Sequence, residues 1–524
     1  MSCRSKIIAA AIACLLAVLP GPAWGSEKAA APAESPPRTR QLIQQLGDND
    51  YNVRQRAQDE LAKLGFAAFD LLSEAADSDD LEIATRAKYL LHLMRVQWTR
   101  EDDPPGVKSL LDGYDSLSLD ERMVRMQKLA AMPAAGGVPA LCRLVRYELS
   151  PMLSKSAAVA ILNREPVPSS EEPKLSAMVR ENLTGSSQTA AKWLLTYLAL
   201  RKDPKATMAE WNRLVEVEQG VLRRTPDRSS PRIVGCLLYD LAVVQAGQGL
   251  QALADNTAQR ARQILPGRTA DELYAHLTMA LSLQRRGLFP WAVEEYHQVT
   301  RGNFPEYAAM SYHWLSEMYH DIGDDASAAQ TMQDALKMVD QRVLENLEAV
   351  TGQSVAEHRA RMNYFLACHW LSKGDAAKHR QYLDEALKVY PAEIDSLIAR
   401  YRLPNQDPEY QKKTRELIAR AVASMREEIE KTPEYPSGYN QLAWLIGNTE
   451  GDLDEALRLI QKAVDLSPDN GAFYDTMGRV YYARGDYPNA VKYQSLAAEL
   501  EPHSGLIVKQ LRLFQDKLRE HPPK

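Results

Sequence analysis

The sequence predicts an all-α chain, most of it an alpha-alpha superhelix: a solenoid of stacked antiparallel helix pairs. Three observations point there. Apolar residues make up 45% of the chain and charged residues 25%, Phe occurs only 7 times, and Ala, Leu, Glu, Arg and Gln crowd the stretches between turn residues, a composition of helix formers with few alternating β-branched runs. At 524 residues the chain exceeds what one compact core accommodates, so several domains or a one-dimensional stack are expected. Near the C-terminus Ala456, Ala463 and Pro468 are followed by Ala490, Ala497 and Pro502, a period of ~34 residues and the length of one helix pair.

Taken in order, residues 1–25 have the parts of a secretory signal: Arg4 and Lys6, the apolar run Ile7 to Leu19, then Pro20-Gly21-Pro22 before Ala23-Trp24-Gly25, with cleavage expected near Gly25. The apolar run is shorter than the ~20 residues that cross a bilayer, and no later stretch is expected to span one. Export to the periplasm or beyond the cell is therefore expected. Residues 26–37, reading SEKAAAPAESPP, lack apolar periodicity and form a flexible linker. After the leader only Cys142, Cys236 and Cys368 remain, too far apart for a disulfide framework or a paired zinc motif. The formal charge of −6 becomes about −8 without Arg4 and Lys6, which disfavours nucleic acid and anionic membranes as partners.

Residues 38–97 carry apolar residues at three- and four-residue steps, and Asp48 and Asp50 sit where a helix start wants a capping oxygen. The stretch LGDNDYNVRQRAQDELAKLG, with Val53, Arg54 and Ala57 at helical spacing, resembles a HEAT-type, armadillo-like helical repeat. Residues 105–225 continue as irregular amphipathic helices broken at Pro139, Pro151, Pro168 and Pro204, with RRTPDRSSP at 223–231 as the best boundary.

From 232 to 502 about six helix pairs follow, clearest over 437–502. In the last, Tyr474, Met477, Gly478, Tyr481, Gly485, Ala490, Ala497 and Pro502 resemble the marked positions of the tetratricopeptide repeat, with Gln494 in place of its usual aromatic. Upstream the frame returns in Ala254, Ala261 and Pro266; in Gly287, Ala292 and Tyr296; in Tyr319, Gly323, Ala328 and Ala335; and in Gly374, Ala386 and Pro391, with His379 where Ala is expected. The step from Ala335 to Ala386 is longer than the period and places an insertion around Val339 to Val355. Small residues let paired helices approach closely, and Gly485 releases the chain into a tight turn. Residues 503–520, with Ile507, Leu511, Phe514 and Leu518 on one face, form a capping helix.

No GxGxxG, GxxxxGK[ST], HExxH or GxSxG motif is present, and the 10 His are scattered. No cofactor or metal is expected, and the chain is read as not an enzyme. The exception weighed is His313, Glu317 and His320 on one helix face, with Cys368 on a neighbouring helix, as a set of zinc ligands for a cryptic metal-dependent enzyme. The resemblance to tetratricopeptide proteins implies a concave groove that binds a partner peptide or helix. Its inward positions carry over to Tyr239, Leu277, His313, Glu317, Tyr364, Asn440, Trp444, Asp475, Arg479 and Tyr482. The family's carboxylate-binding set of Lys, Arg and Asn is matched only at Asn440, so that activity is not implied. A protein-interaction scaffold is the expected role, and a structural oligomer of the envelope is the further alternative.

Overall fold

The computed structural model describes residues 36–521 apart from 133–134, 165–166, 169, 338–346 and 350. The leader and the linker up to residue 35 lie outside them, as does much of the insertion after Val339. Every regular element among the described residues is a helix. The chain divides after Met94 into two compact units.

The first unit holds Pro36–Gln45, Tyr51–Leu64, Phe69–Ala75 and Leu81–Leu93, so helix begins two residues inside the expected linker. Asp50 caps the second of these by accepting from the Asn52 amide, and Asp80 caps the fourth through Glu82 and Ile83, each satisfying amides that a helix start leaves open. Leu46, Ala57, Leu61, Phe69, Leu72 and Ala87 form the core. Arg54 donates to the Asp48 carbonyl at 2.7 Å and pairs with Glu82 at 3.0 Å, tying the second helix to the fourth.

In the second unit one apolar core runs without interruption from Trp98 to Met318. It crosses residues 223–231, where the sequence suggested a boundary. Trp211, before that stretch, donates its indole N–H at 3.3 Å to the carbonyl of Leu237 beyond it, and Lys155, which meets Glu218 at 2.6 Å with side chains 6% and 1% exposed, also donates to the Arg228 carbonyl at 2.9 Å. These bonds anchor a Pro- and Ser-rich loop which composition alone reads as a linker.

The helix pairs follow: Pro231–Gly247 with Gln251–Ile264, Ala270–Arg285 with Phe289–Thr300, Pro305–Asp321 with Asp325–Lys337, and Val355–Ser372 with Ala376–Val389. After an irregular pair come Pro436–Asn448 with Leu453–Leu466 and Gly471–Ala483 with Tyr487–Leu500. The recurring Ala residues 254, 261, 292, 328, 335, 386, 456, 463, 490 and 497 are all buried. A Cβ on Gly478 would lie 2.7 Å from Gln494 Oε1 and 3.1 Å from the Ala490 carbonyl, so the absent side chain sets the approach of the last pair. Gly485 adopts φ 77° in its turn, a conformation repeated at Gly249, Gly287, Gly323 and Gly374.

The irregular pair, Ile394–Tyr401 and the long Pro408–Lys431, was not resolved by the repeat frame, because it carries neither the Gly turn nor the Ala spacing. His379 keeps its place among the small residues by hydrogen-bonding the Ala367 carbonyl at 2.8 Å. The capping helix spans Gly505–Glu520 and buries Ile507 and Phe514. Its start returns to the third pair: Ser504 donates to Asp321 Oδ1 at 2.6 Å, and a Cβ on Gly505 would lie 2.7 Å from the Asp321 carbonyl.

Candidate partner-binding groove

The inner helices of the later pairs bring a set of polar side chains together around Arg361. Its guanidinium grips Glu317 with two bonds of 2.9 and 2.8 Å, reaches Asp395 at 2.5 Å and Glu393 at 3.3 Å, and lies 5.1 Å over the Tyr364 ring. Trp444 donates its indole N–H to the other Asp395 oxygen at 3.1 Å. One arginine thus links residues from four successive inner helices. The planar, always-charged fork suits such bidentate work. Burial opposes the Glu317 charge, yet the Arg361 guanidinium holds its carboxyl at about 2.

A second cluster closes the far end. Asp475 accepts from Gln494 Nε2 at 2.5 Å and from Gln510 Nε2 at 2.9 Å, and burial pushes its carboxyl up to about 6. Gln494, the departure from the family's aromatic, is therefore a buried linker between the last pair and the capping helix; it also donates to the Ile507 carbonyl at 3.2 Å. Tyr482 stacks on Phe514 at 4.5 Å. Arg402 and Arg479 face the end of Pro436–Asn448, donating to the adjacent carbonyls of Asn448 and Gly447 at 3.3 and 3.2 Å, where a helix C-terminus attracts cations. Burial and then the nearby Arg402 charge lower Arg479 to about 10, which leaves it protonated at neutral pH. Among the described residues neither arginine forms an ion pair; Arg402 also donates from Nη2 to Asn448 Oδ1, and both keep further N–H donors.

The groove positions carried over from the repeat family divide accordingly. Glu317, Tyr364, Trp444, Asp475, Arg479 and Tyr482 gather in these two clusters, partly exposed, and Asn440 is partly exposed on the Trp444 helix. Tyr239 and Leu277 do not line a groove; both are 1% exposed and belong to the continuous core. Tyr239 donates its hydroxyl to buried Glu295, whose other oxygen meets His276. The first two pairs are also packed against upstream helices, with Asn163 reaching Cys236 at 3.3 Å and accepting from Ser282 at 3.4 Å.

The ligand set considered from sequence does not assemble. Glu317 is taken by Arg361, and His313 packs edge-on against His358 at 5.9 Å; burial lowers its imidazole to about 4. His320 alone of the three lies beside Cys368. The residues that sequence reasoning missed are Arg361, Glu393, Asp395 and Arg402. Arg361 was within reach, since Arg361, Tyr364 and Cys368 share one helix face at i, i+3 and i+7, just as His313, Glu317 and His320 share one at i, i+4 and i+7. The other three sit in or beside the irregular pair.

Residues 449–504 match the tetratricopeptide repeat family, a stretch that ends with the last helix pair. A segment of 140 residues is 29% identical to a TPR repeat-containing protein of Pseudomonas aeruginosa, covering 26% of this chain and 22% of that protein, so the match spans less than a quarter of the curated relative. Among solved structures, a thermophilic TPR protein of Thermus thermophilus is 16% identical, covering 40% of this chain and 99% of its own, at a TM-score of 0.28. A tetratricopeptide repeat protein from Parabacteroides merdae is 14% identical, covering 53% and 97%, at a TM-score of 0.27. The chain is an all-α helical-repeat protein whose residues 449–504 match the tetratricopeptide repeat.

Proposed function

We propose that this chain is a non-catalytic, exported interaction scaffold that holds an acidic peptide or helical segment of a partner protein against the inner face of its C-terminal repeats. Repeats of this type commonly serve as protein-binding scaffolds, and their stacked pairs present extended concave surfaces. The observation that carries the finer reading is the pair Arg402 and Arg479, without ion-pair partners among the described residues, with Arg479 5.0 Å over the aromatic face of Tyr482. Arginine and aromatic side chains are enriched where binding energy concentrates, and spare guanidinium donors match carboxylates. Export rests on the leader over residues 1–25, and no helix among the described residues is long and apolar enough to cross a membrane. In the first unit Tyr51, Leu81, Tyr89 and Leu93 are 53% to 81% exposed, which supports a second platform there.

The test is the double substitution Arg402→Gln with Arg479→Gln, which removes charge while keeping side chains able to donate to the Asn448 and Gly447 carbonyls. Capture of the partner from envelope extract should fall at least ~10-fold, the equivalent of ~1.4 kcal/mol, and capture by the unsubstituted protein should weaken with salt. Unchanged capture by a variant that melts normally would remove the two arginines from the binding surface.

A further inference from the structure

The Arg361 network leaves one group of ligand-type side chains unabsorbed. His320 lies in the last turn of the helix Pro305–Asp321, Asp325 opens the next helix, and Cys368 belongs to Val355–Ser372. One ligand atom from each lies within 4.8 Å of the other two. His320 is 8% exposed, and the Asp325 side chain 13%. The imidazole is fixed from two sides, edge-on to Tyr364 at 5.5 Å and against Phe365 at 5.0 Å.

We propose that His320, Asp325 and Cys368 form a site for a borderline-soft divalent cation of the zinc type, joining the third helix pair to the fourth. The hydrogen bond of 2.5 Å between His320 Nδ1 and Asp325 Oδ1 accounts for two of the groups as a turn-closing pair. It does not account for a thiol, itself beside the Tyr364 hydroxyl, converging on the same point. An imidazole, a carboxylate and a thiol together select zinc-like ions over calcium or magnesium, which prefer oxygen throughout. With bonds of ~2.0–2.3 Å, donor atoms in a tetrahedral zinc site stand about 3.3–3.8 Å apart, so side-chain rotations of about 1 Å complete the geometry. The neutral imidazole and the carboxylate each give a lone pair, the Cys368 thiol releases its proton to solvent, and water fills the fourth position. Nearby carboxylates do not compete, because Glu317, Glu393 and Asp395 are already engaged by Arg361. The location has a mechanical sense: the step from the third pair to the fourth is where the repeat period fails, and a metal there would pin helices on both sides of the irregularity.

The test uses the full mature chain, dialysed against chelator and titrated with cobalt(II) and then zinc(II). One equivalent of cobalt should give a thiolate-to-metal charge-transfer band that zinc displaces, and both Cys368→Ser and Cys368→Ala should lose it. The double variant Cys142→Ser with Cys236→Ser should keep it. Since loss of a supporting group alone costs metal affinity ~10–100-fold, His320→Ala and Asp325→Ala should each weaken zinc binding at least ~10-fold. Absence of a band at one equivalent, or a band that persists without Cys368, would overturn the site. Far-UV circular dichroism of each variant separates ligand loss from unfolding.

Discussion

At the scale of single residues, the inner face is governed by how much charge it can compensate. Arg361 answers two neighbouring carboxylates and supports a third, so it is the one residue whose loss would leave several partly buried acids without a cation, a situation that costs more than the pair itself contributes. Asp475 is the opposite case, a carboxyl held by two amides and no strong cation. Its folded pKa, about 6, lies above its ordinary 3.8. The stability it contributes is therefore complete below pH 3.8 and is lost as pH rises through 6. Asp475→Asn keeps the acceptor oxygen for Gln494 and Gln510 and removes that penalty. Its melting temperature should exceed that of the unsubstituted protein at pH 7, by an amount equivalent to at most ~3 kcal/mol before solvent screening, and the two should converge near pH 4. An equal or lower value at pH 7 would show that the Asp475 charge is compensated in solution.

At the scale of elements, helices and their spacing were legible because small residues mark close approach wherever it occurs. Gly478, Ala490 and Ala497 could be assigned to a helix–helix contact from the sequence, and all three are buried. Leu at position 478 would have to displace Gln494 and the Ala490 backbone, so Gly478→Leu should lower stability by ~1–3 kcal/mol in chemical denaturation; a loss under ~0.5 kcal/mol would mean that the last pair is loosely packed. The groove was less legible. A repeat frame says which face of a helix points inward, but not what that face meets. Tyr239 and Leu277 have inward positions, yet core packing and upstream helices such as the one ending near Asn163 claim the space. Asp395 and Arg402 escaped because the helix Ile394–Tyr401 and its partner obey no repeat signature. Gln494 read as a defect and proved to be the link to the capping helix.

At the scale of the molecule, the C-terminal repeats do not end freely: the Ser504–Asp321 bond brings the start of the capping helix back to the third pair. The inner residues around Arg361, Arg402 and Arg479 therefore lie within a stack whose later members touch earlier ones, and a partner that reaches them must be slender, such as a single extended segment or helix. The proposed working surface is accordingly the inner face of the repeats, not the outer faces. Site-specific photocrosslinking in the native cell tests that most directly, with the reactive side chain placed in turn at Asn440 and Arg479 on the inner helices and at exposed Lys412 and Lys462 on the others. One and the same protein adduct should form from both inner positions and none from the outer pair; adducts from Lys412 or Lys462 with none from Asn440 and Arg479 would rule out binding on the inner face.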